Sequence, residues 1–136
     1  VCPCLGLTRD GVCVNVNADN VAVALASGAR AAKLVLLTDV DGVQIDGQVQ
    51  SMIVARDVPA LIDGGHVHGG MQVKLENCVQ ALRSGVKRVH ILNGFKKDAL
   101  RSEIYTNTGA GTMVVRHREK RVYEMELSAD KEEKTQ

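Results

Sequence analysis

The chain has 136 residues, 45% of them apolar and 24% charged, with 17 Lys and Arg against 16 Asp and Glu for a net charge of +1. That balance excludes broad electrostatic capture of nucleic acid or of a membrane surface, and an aromatic content of 2% without Trp excludes a base-stacking platform. No stretch approaches the roughly 18 continuous apolar residues of a membrane span, no signal-peptide pattern opens the chain, and the length suits one modest domain with a real core.

VCPCL (1–5) and VCVNV (12–16) are short and rich in β-formers, with turn chemistry at 8–11 between them. Cys2, Cys4, Cys13 and Cys78 match no CxxC metal or redox spacing, and the expectation is a reduced, cytoplasmic chain. Residues 18–31 have the Ala and Leu content of a buried helix. The residues before it are unusually polar: NVNAD (15–19) places Asn15, Asn17 and Asp19 at a helix mouth. Capping explains two of them, since Asn17 can cap and Asp19 complements the positive end of the dipole. Asn15, at a strand end, is left over and is a candidate binding residue.

KLVLLT (33–38) is continuously apolar, the pattern of a strand covered on both faces. DVDGVQIDGQ follows as a loop, either a solvated turn or a nucleotide site in which Gly42 permits close backbone approach. VARDVPALID (54–63) reads as a short helix ending at GGHVHGG (64–70). His66 and His68 have chelating spacing but no third ligand nearby, so no metal site is assigned. MQVKLENCVQALRSG (71–85) is the clearest helix: Met71, Leu75, Cys78, Val79 and Leu82 recur at three- and four-residue spacing, and Gly85 is a stop. Gly69 and Gly70 lie at its entrance, where unpaired N–H groups favour anions. Lys74, one turn in, is either a solvent-face lysine or a cation aimed at a phosphate.

KRVHIL (87–92) reads as a strand, KKDALRSEIYT (96–106) as a helix and TMVV (112–115) as a strand. TNTGAGT (106–112) lacks the P-loop pattern and is expected to be a turn. Residues 117–136 are dense in charge; VYEMEL suggests an alternating edge strand, and SADKEEKTQ a disordered tail. Short apolar strands alternating with helices imply an α/β domain with a mostly parallel open sheet and helices on both faces. Such sheets bind ligands beyond the carboxyl ends of their strands, which points to the loops after Val16, Leu37 and Leu92.

In this order, NVNADNVAVALA, KLVLLTDVDGV, GGMQVKLENCVQALRSGVKRVHIL and EIYTNTGAGTMV resemble the amino-acid kinase family over about residues 1–116. The resemblance implies an αβα sandwich that transfers the γ-phosphoryl of ATP to a carboxylate, here the side chain of N-acetyl-L-glutamate, in arginine biosynthesis. It implies that Asn15 binds that substrate, that Asp19 organises the catalytic lysines and that Lys74 stabilises the transferring phosphoryl. It assigns Thr38, Asp39, Val40, Asp41, Gly42, Val43 and Gln44, with His66, Val67 and His68, to the ATP site, and magnesium to the phosphates. It further implies a homo-oligomer when complete, and an N-terminal half holding a second lysine, a Gly-rich phosphate loop and a substrate-binding arginine. Residues 1–116 then correspond to the nucleotide-binding half, expected to be inactive alone. Two alternatives stand beside this one: the kinase-like, arginine- or substrate-binding domain of an acetylglutamate synthase, and a non-catalytic nucleotide-binding module.

Overall fold

The computed structural model describes residues 1–106 and 109–133, with side chains placed up to residue 125 at the carboxyl end. A hairpin comes first: β1 (Leu5–Leu7) pairs antiparallel with β2 (Cys13–Asn15), Leu5 opposite Asn15 and Leu7 opposite Cys13. Helix α1 (Ala18–Gly28) starts at Asn17, whose side-chain oxygen accepts the N–H groups of Asp19 and Asn20 at 2.9 and 3.2 Å. That is an N-cap satisfying two otherwise unpaired donors.

Strand β3 (Lys33–Thr38) follows, and then a two-rung hairpin of β4 (Gln44–Ile45) and β5 (Gln48–Val49), with Asp46 and Gly47 at positive φ in the turn. Next come β6 (Met52–Val54), a 3-10 turn (Ala55–Asp57), α2 (Val58–Asp63) and the long α3 (Gly69–Arg83). The chain continues through β7 (Arg88–Asn93), α4 (Ala99–Tyr105), β8 (Gly111–Val115) and α5 (His117–Glu133).

The central sheet has four strands in the order β3-β7-β8-β6. The β3–β7 and β6–β8 pairings are parallel, and β7–β8 is antiparallel. The expected α/β fold with a mostly parallel sheet is therefore present, with one antiparallel join at its centre. Alternation along the strands divides the two layers. Leu34, Leu36, Ile53, Val89, Ile91 and Val114 share a core with Val23 and Ala26 of α1 and Leu75, Cys78, Ala81 and Leu82 of α3. The intervening residues face the opposite layer, where His90 meets Glu103 of α4 and Arg88 lies 5.5 Å from the ring centroid of Tyr123 in α5.

Several expectations need correction. The stretch 39–48 is a loop only as far as Val43, where the β4–β5 hairpin begins, and the helix expected over 54–63 starts at Val58, since Val54 ends β6 and 55–57 form the 3-10 turn. Residues 117–133 form neither an edge strand nor a tail but α5. Ion pairs at helical spacing, Arg116–Glu119 and Lys120–Glu124, accompany the helix where VYEMEL alone suggests alternation. The remaining residues of the expected tail, 134–136, and residues 107–108 of TNTGAGT lie outside the described residues.

Candidate functional site

Because β3 and β7 are parallel and in register from Lys33–Arg88 to Thr38–Asn93, their carboxyl ends finish side by side. The loops after both strands thus emerge at one rim. The amino-terminal ends of α1 and α3 open at a cleft of about 520 Å³ lined by residues that include Asp19, Thr38, Asp39, Val40, Gly70 and Lys74. Three stretches separated in sequence converge there.

Lys74 Nζ donates to Asp19 Oδ2 at 2.8 Å, and the two side chains are only 15% and 25% exposed. The pair is set by two local choices. Asn17 caps α1 and puts Asp19 in its first turn; Gly69, at φ +59°, starts α3 so that Lys74 falls one turn inside it. Lys74 therefore points at a cleft and not at bulk solvent, which decides between the two readings of its sequence position. Beneath the pair, one helical turn further along, lies Cys78, fully buried. Burial pushes its thiol up to about 12, with Lys74 opposing that shift and Asp19 adding to it.

The 38–43 loop is held from several directions. Thr38 Oγ1 donates to Asp39 Oδ1 at 3.2 Å, and the Gly94 N–H donates to the Thr38 carbonyl at 2.8 Å. Asn93 Nδ2 donates to Asp41 Oδ1 at 2.9 Å, while its own Oδ1 accepts the Phe95 N–H. The Val43 N–H donates to Thr112 Oγ1 at 2.8 Å. Gly42 has φ +145°, and a Cβ there would lie 2.6 Å from Thr112 Oγ1. A side chain is excluded at this position by both backbone and space.

The sequence candidates thus divide. Asp19, Lys74, Thr38, Asp39 and Val40 come together on the cleft. Asp41 and Gly42 belong to the same loop but engage Asn93 and Thr112. Val43 is fully buried and Val67 4% exposed, so both side chains are core. Gln44 opens β4 and is exposed. Asn15 is exposed at the end of β2, two residues ahead of the cap, and is not among the cleft-lining residues. His66 lies 3.8 Å from Asp46, and His68 immediately precedes α3. No group of three or more His, Cys, Asp or Glu side chains able to hold a metal gathers among the described residues. Asn93 and Thr112 were missed as candidates. The rule of strand carboxyl ends points to the loop after Leu92, and Thr112 closes the TNTGAGT stretch that carries part of the family resemblance, but nothing local gives Thr112 a role.

On the opposite layer, Glu103 Oε1 pairs with His90 Nδ1 at 2.6 Å, and its Oε2 accepts the Ala110 N–H at 2.9 Å. Burial alone would raise this carboxyl. The His90 hydrogen bond and the Ala110 N–H, with the neighbouring charges of His90 and Lys33, outweigh it and hold Glu103 below its ordinary value.

The sequence pattern of the Amino acid kinase family matches residues 1–93. The chain belongs to the amino acid kinase family. It is 48% identical over 111 residues to an acetylglutamate kinase of Citrifermentans bemidjiense, covering 81% of this chain and 38% of that protein. It is 41% identical over 115 residues to an acetylglutamate kinase of Desulforamulus reducens, covering 82% and 40%. The chain thus spans about 40% of the length of these curated relatives. Among solved structures, N-acetylglutamate synthase from Neisseria gonorrhoeae complexed with coenzyme A and L-arginine superposes with a TM-score of 0.80 at 32% identity, covering 85% of this chain and 27% of that one. Carbamate kinase from Giardia lamblia bound to AMP-PNP shares the fold, with a TM-score of 0.63 at 22% identity. Among the described residues, no helix is long and apolar enough to cross a membrane.

Proposed function

We propose that this chain supplies the ATP-binding half of an acetylglutamate kinase. The observation that carries the reading is the Lys74–Asp19 pair at 2.8 Å, partly buried, on a cleft where two helix amino termini open. The names of the relatives at 41–48% identity support the substrate assignment.

The reaction brings two anions together. A carboxylate oxygen of N-acetyl-L-glutamate forms a bond to the γ-phosphorus of ATP, and the bridging β–γ oxygen leaves with ADP. The acceptor already lacks its proton, so positioning and positive charge matter more than a base. Lys74 offers an ammonium to the transferring phosphoryl, and Asp19 fixes that ammonium in place without adding a mobile group. The N–H groups at the start of α3 offer further donors to phosphate oxygens. Magnesium carried on the phosphates would supply charge neutralisation there, and Asp39, on the cleft wall, is a carboxylate available on that side of the site. The family resemblance assigns Asn15, which does not line this cleft, to the acetylglutamate, and the 38–44 and 66–68 stretches to the nucleotide.

Isothermal calorimetry with magnesium and AMP-PNP tests the nucleotide half of this reading, and a heat of binding is expected. Hydroxamate trapping of acyl phosphate tests the remainder. The 136-residue chain alone should turn over far below a complete kinase, because it contributes one lysine to the phosphoryl. Normal rates from the isolated chain would contradict the half-site assignment.

A second reading is the kinase-like domain of an acetylglutamate synthase, favoured by the superposition on the Neisseria gonorrhoeae enzyme. Binding of L-arginine or N-acetyl-L-glutamate without any nucleotide binding would select it. The Lys74–Asp19 pair favours the kinase, since acetyl transfer has no phosphoryl charge for an ammonium to offset.

A further inference from the structure

Val43 and Gln50 flank the β4–β5 hairpin and face each other as an antiparallel pair would. One of the two expected backbone bonds is present: the Gln50 N–H donates to the Val43 carbonyl at 2.8 Å. The reciprocal bond is absent, and a side chain from a third strand occupies its place. Thr112 Oγ1 accepts the Val43 N–H at 2.8 Å and donates to the Gln50 carbonyl at 2.6 Å. A hydroxyl has one donor and two acceptor sites, so this bridge uses its only proton and satisfies both backbone groups. Thr112 is 1% exposed and Val43 fully buried, so no solvent replaces the bridge if it is lost.

The insertion also fixes the backbone around it. Gly42 approaches Thr112 closely enough that a Cβ would collide with the hydroxyl, and Gly111 approaches Ile91 so closely that a Cβ there would meet the Ile91 carbonyl oxygen. The Met113 N–H then donates to Ser51 at 2.9 Å, continuing the same seam into β6. The loop from Thr38 is thereby anchored at its far end to β8, just as Gly94 and Asn93 anchor its near end to β7.

We propose that Thr112 is a positioning residue for nucleotide binding: its hydroxyl, inserted into the Val43–Gln50 pair, holds the Thr38, Asp39 and Val40 wall of the cleft in place without touching the ligand. The role rests on the function proposed above, whereas the inserted hydroxyl is read directly from geometry.

Thr112→Val keeps the shape and removes the bridge; Thr112→Ser restores the hydroxyl. Amide hydrogen exchange on the full chain reads the clamp, and calorimetry with magnesium and AMP-PNP reads its consequence. In Thr112→Val the Val43 amide should exchange about tenfold faster or more, while Val89 and Ile91 in the same sheet keep their protection. Nucleotide affinity should fall by a similar factor, and Thr112→Ser should recover most of both. Unchanged Val43 protection in Thr112→Val would overturn the clamp. Faster Val43 exchange with unchanged affinity would overturn the positioning role while leaving the proposed function standing. A wild-type chain that binds no nucleotide overturns the proposed function and the positioning role with it. Uniform loss of protection across β7 together with lost affinity would mark Thr112 as a general stability residue and overturn the proposal.

Discussion

Lys74 and Asp19, 55 residues apart in sequence, meet at 2.8 Å because α1 and α3 begin at the same rim of the sheet. Each lies in the early turns of its helix, and each helix start is written locally: an Asn cap for α1, two glycines for α3. The ion pair is a consequence of packing these two helices side by side on one face. Its placement at a cleft, instead of on open surface, is what gives it chemical meaning.

Removing the lysine should have two separable effects. In a kinase completed with its amino-terminal portion, Lys74→Met should lower turnover about 10²–10³-fold, by analogy with loss of one preorganised donor. It should also leave the Asp19 charge partly buried and unpaired, destabilising the chain by about 1–3 kcal/mol in urea unfolding. Asp19→Leu in the Lys74→Met background should recover part of that stability but none of the activity. A double-mutant cycle with no coupling would place the two side chains out of contact in solution.

Cysteine reactivity gives a second check. Cys2 and Cys13 are exposed, whereas Cys78 is buried with its thiol held up near 12. In native buffer near neutral pH, a thiol-disulfide reagent should modify Cys2 and Cys13 rapidly and leave Cys78 unreacted until the chain unfolds. Rapid native modification of Cys78 would mean that the packing of α1 against α3 opens readily.

Much of this arrangement is legible in the sequence, and what is not has a physical reason. KLVLLT announces a strand, and α3 shows its apolar stripe over four turns; the expected cover on both faces of KLVLLT is absent, because β3 is an edge strand with Leu34 and Leu36 buried and Leu37 55% exposed. The β4–β5 hairpin and β6 have two or three residues each, too few for a period to emerge. VYEMEL misleads because its apolar residues alternate over a short window, while the Lys120–Glu124 pairing that suits a helix spans outside it. The cleft residues Asp19, Asp39 and Lys74 are recognisable through motif order, but their convergence needs the β3–β7 register. Thr112 sits in a recognisable motif, but its role is not legible there, because its two hydrogen bonds reach 62 and 69 residues back along the chain.

The His90–Glu103 pair predicts a pH dependence of defined sign. Folding lowers the Glu103 carboxyl below its ordinary value, because the His90 hydrogen bond and the Ala110 N–H outweigh the cost of burial. The unfolded chain therefore binds the proton more readily, and the stabilisation is fully present above the unfolded value. It should be lost as pH falls through the lower, folded value. Urea unfolding between pH 6 and pH 3 should show stability falling in the acid range, and Glu103→Gln should flatten that limb. An acid limb of the same steepness in Glu103→Gln would assign the dependence to other carboxylates.

The most direct test of the central claim is a titration of the ¹⁵N-labelled chain with magnesium and AMP-PNP, followed by amide chemical shifts. Nucleotide bound at the cleft should move Asp19, Asp39, Val40, Gly70 and Lys74 together, with one saturation curve. Shifts confined to α4 and the opposite layer, or no shifts at millimolar nucleotide, would contradict it.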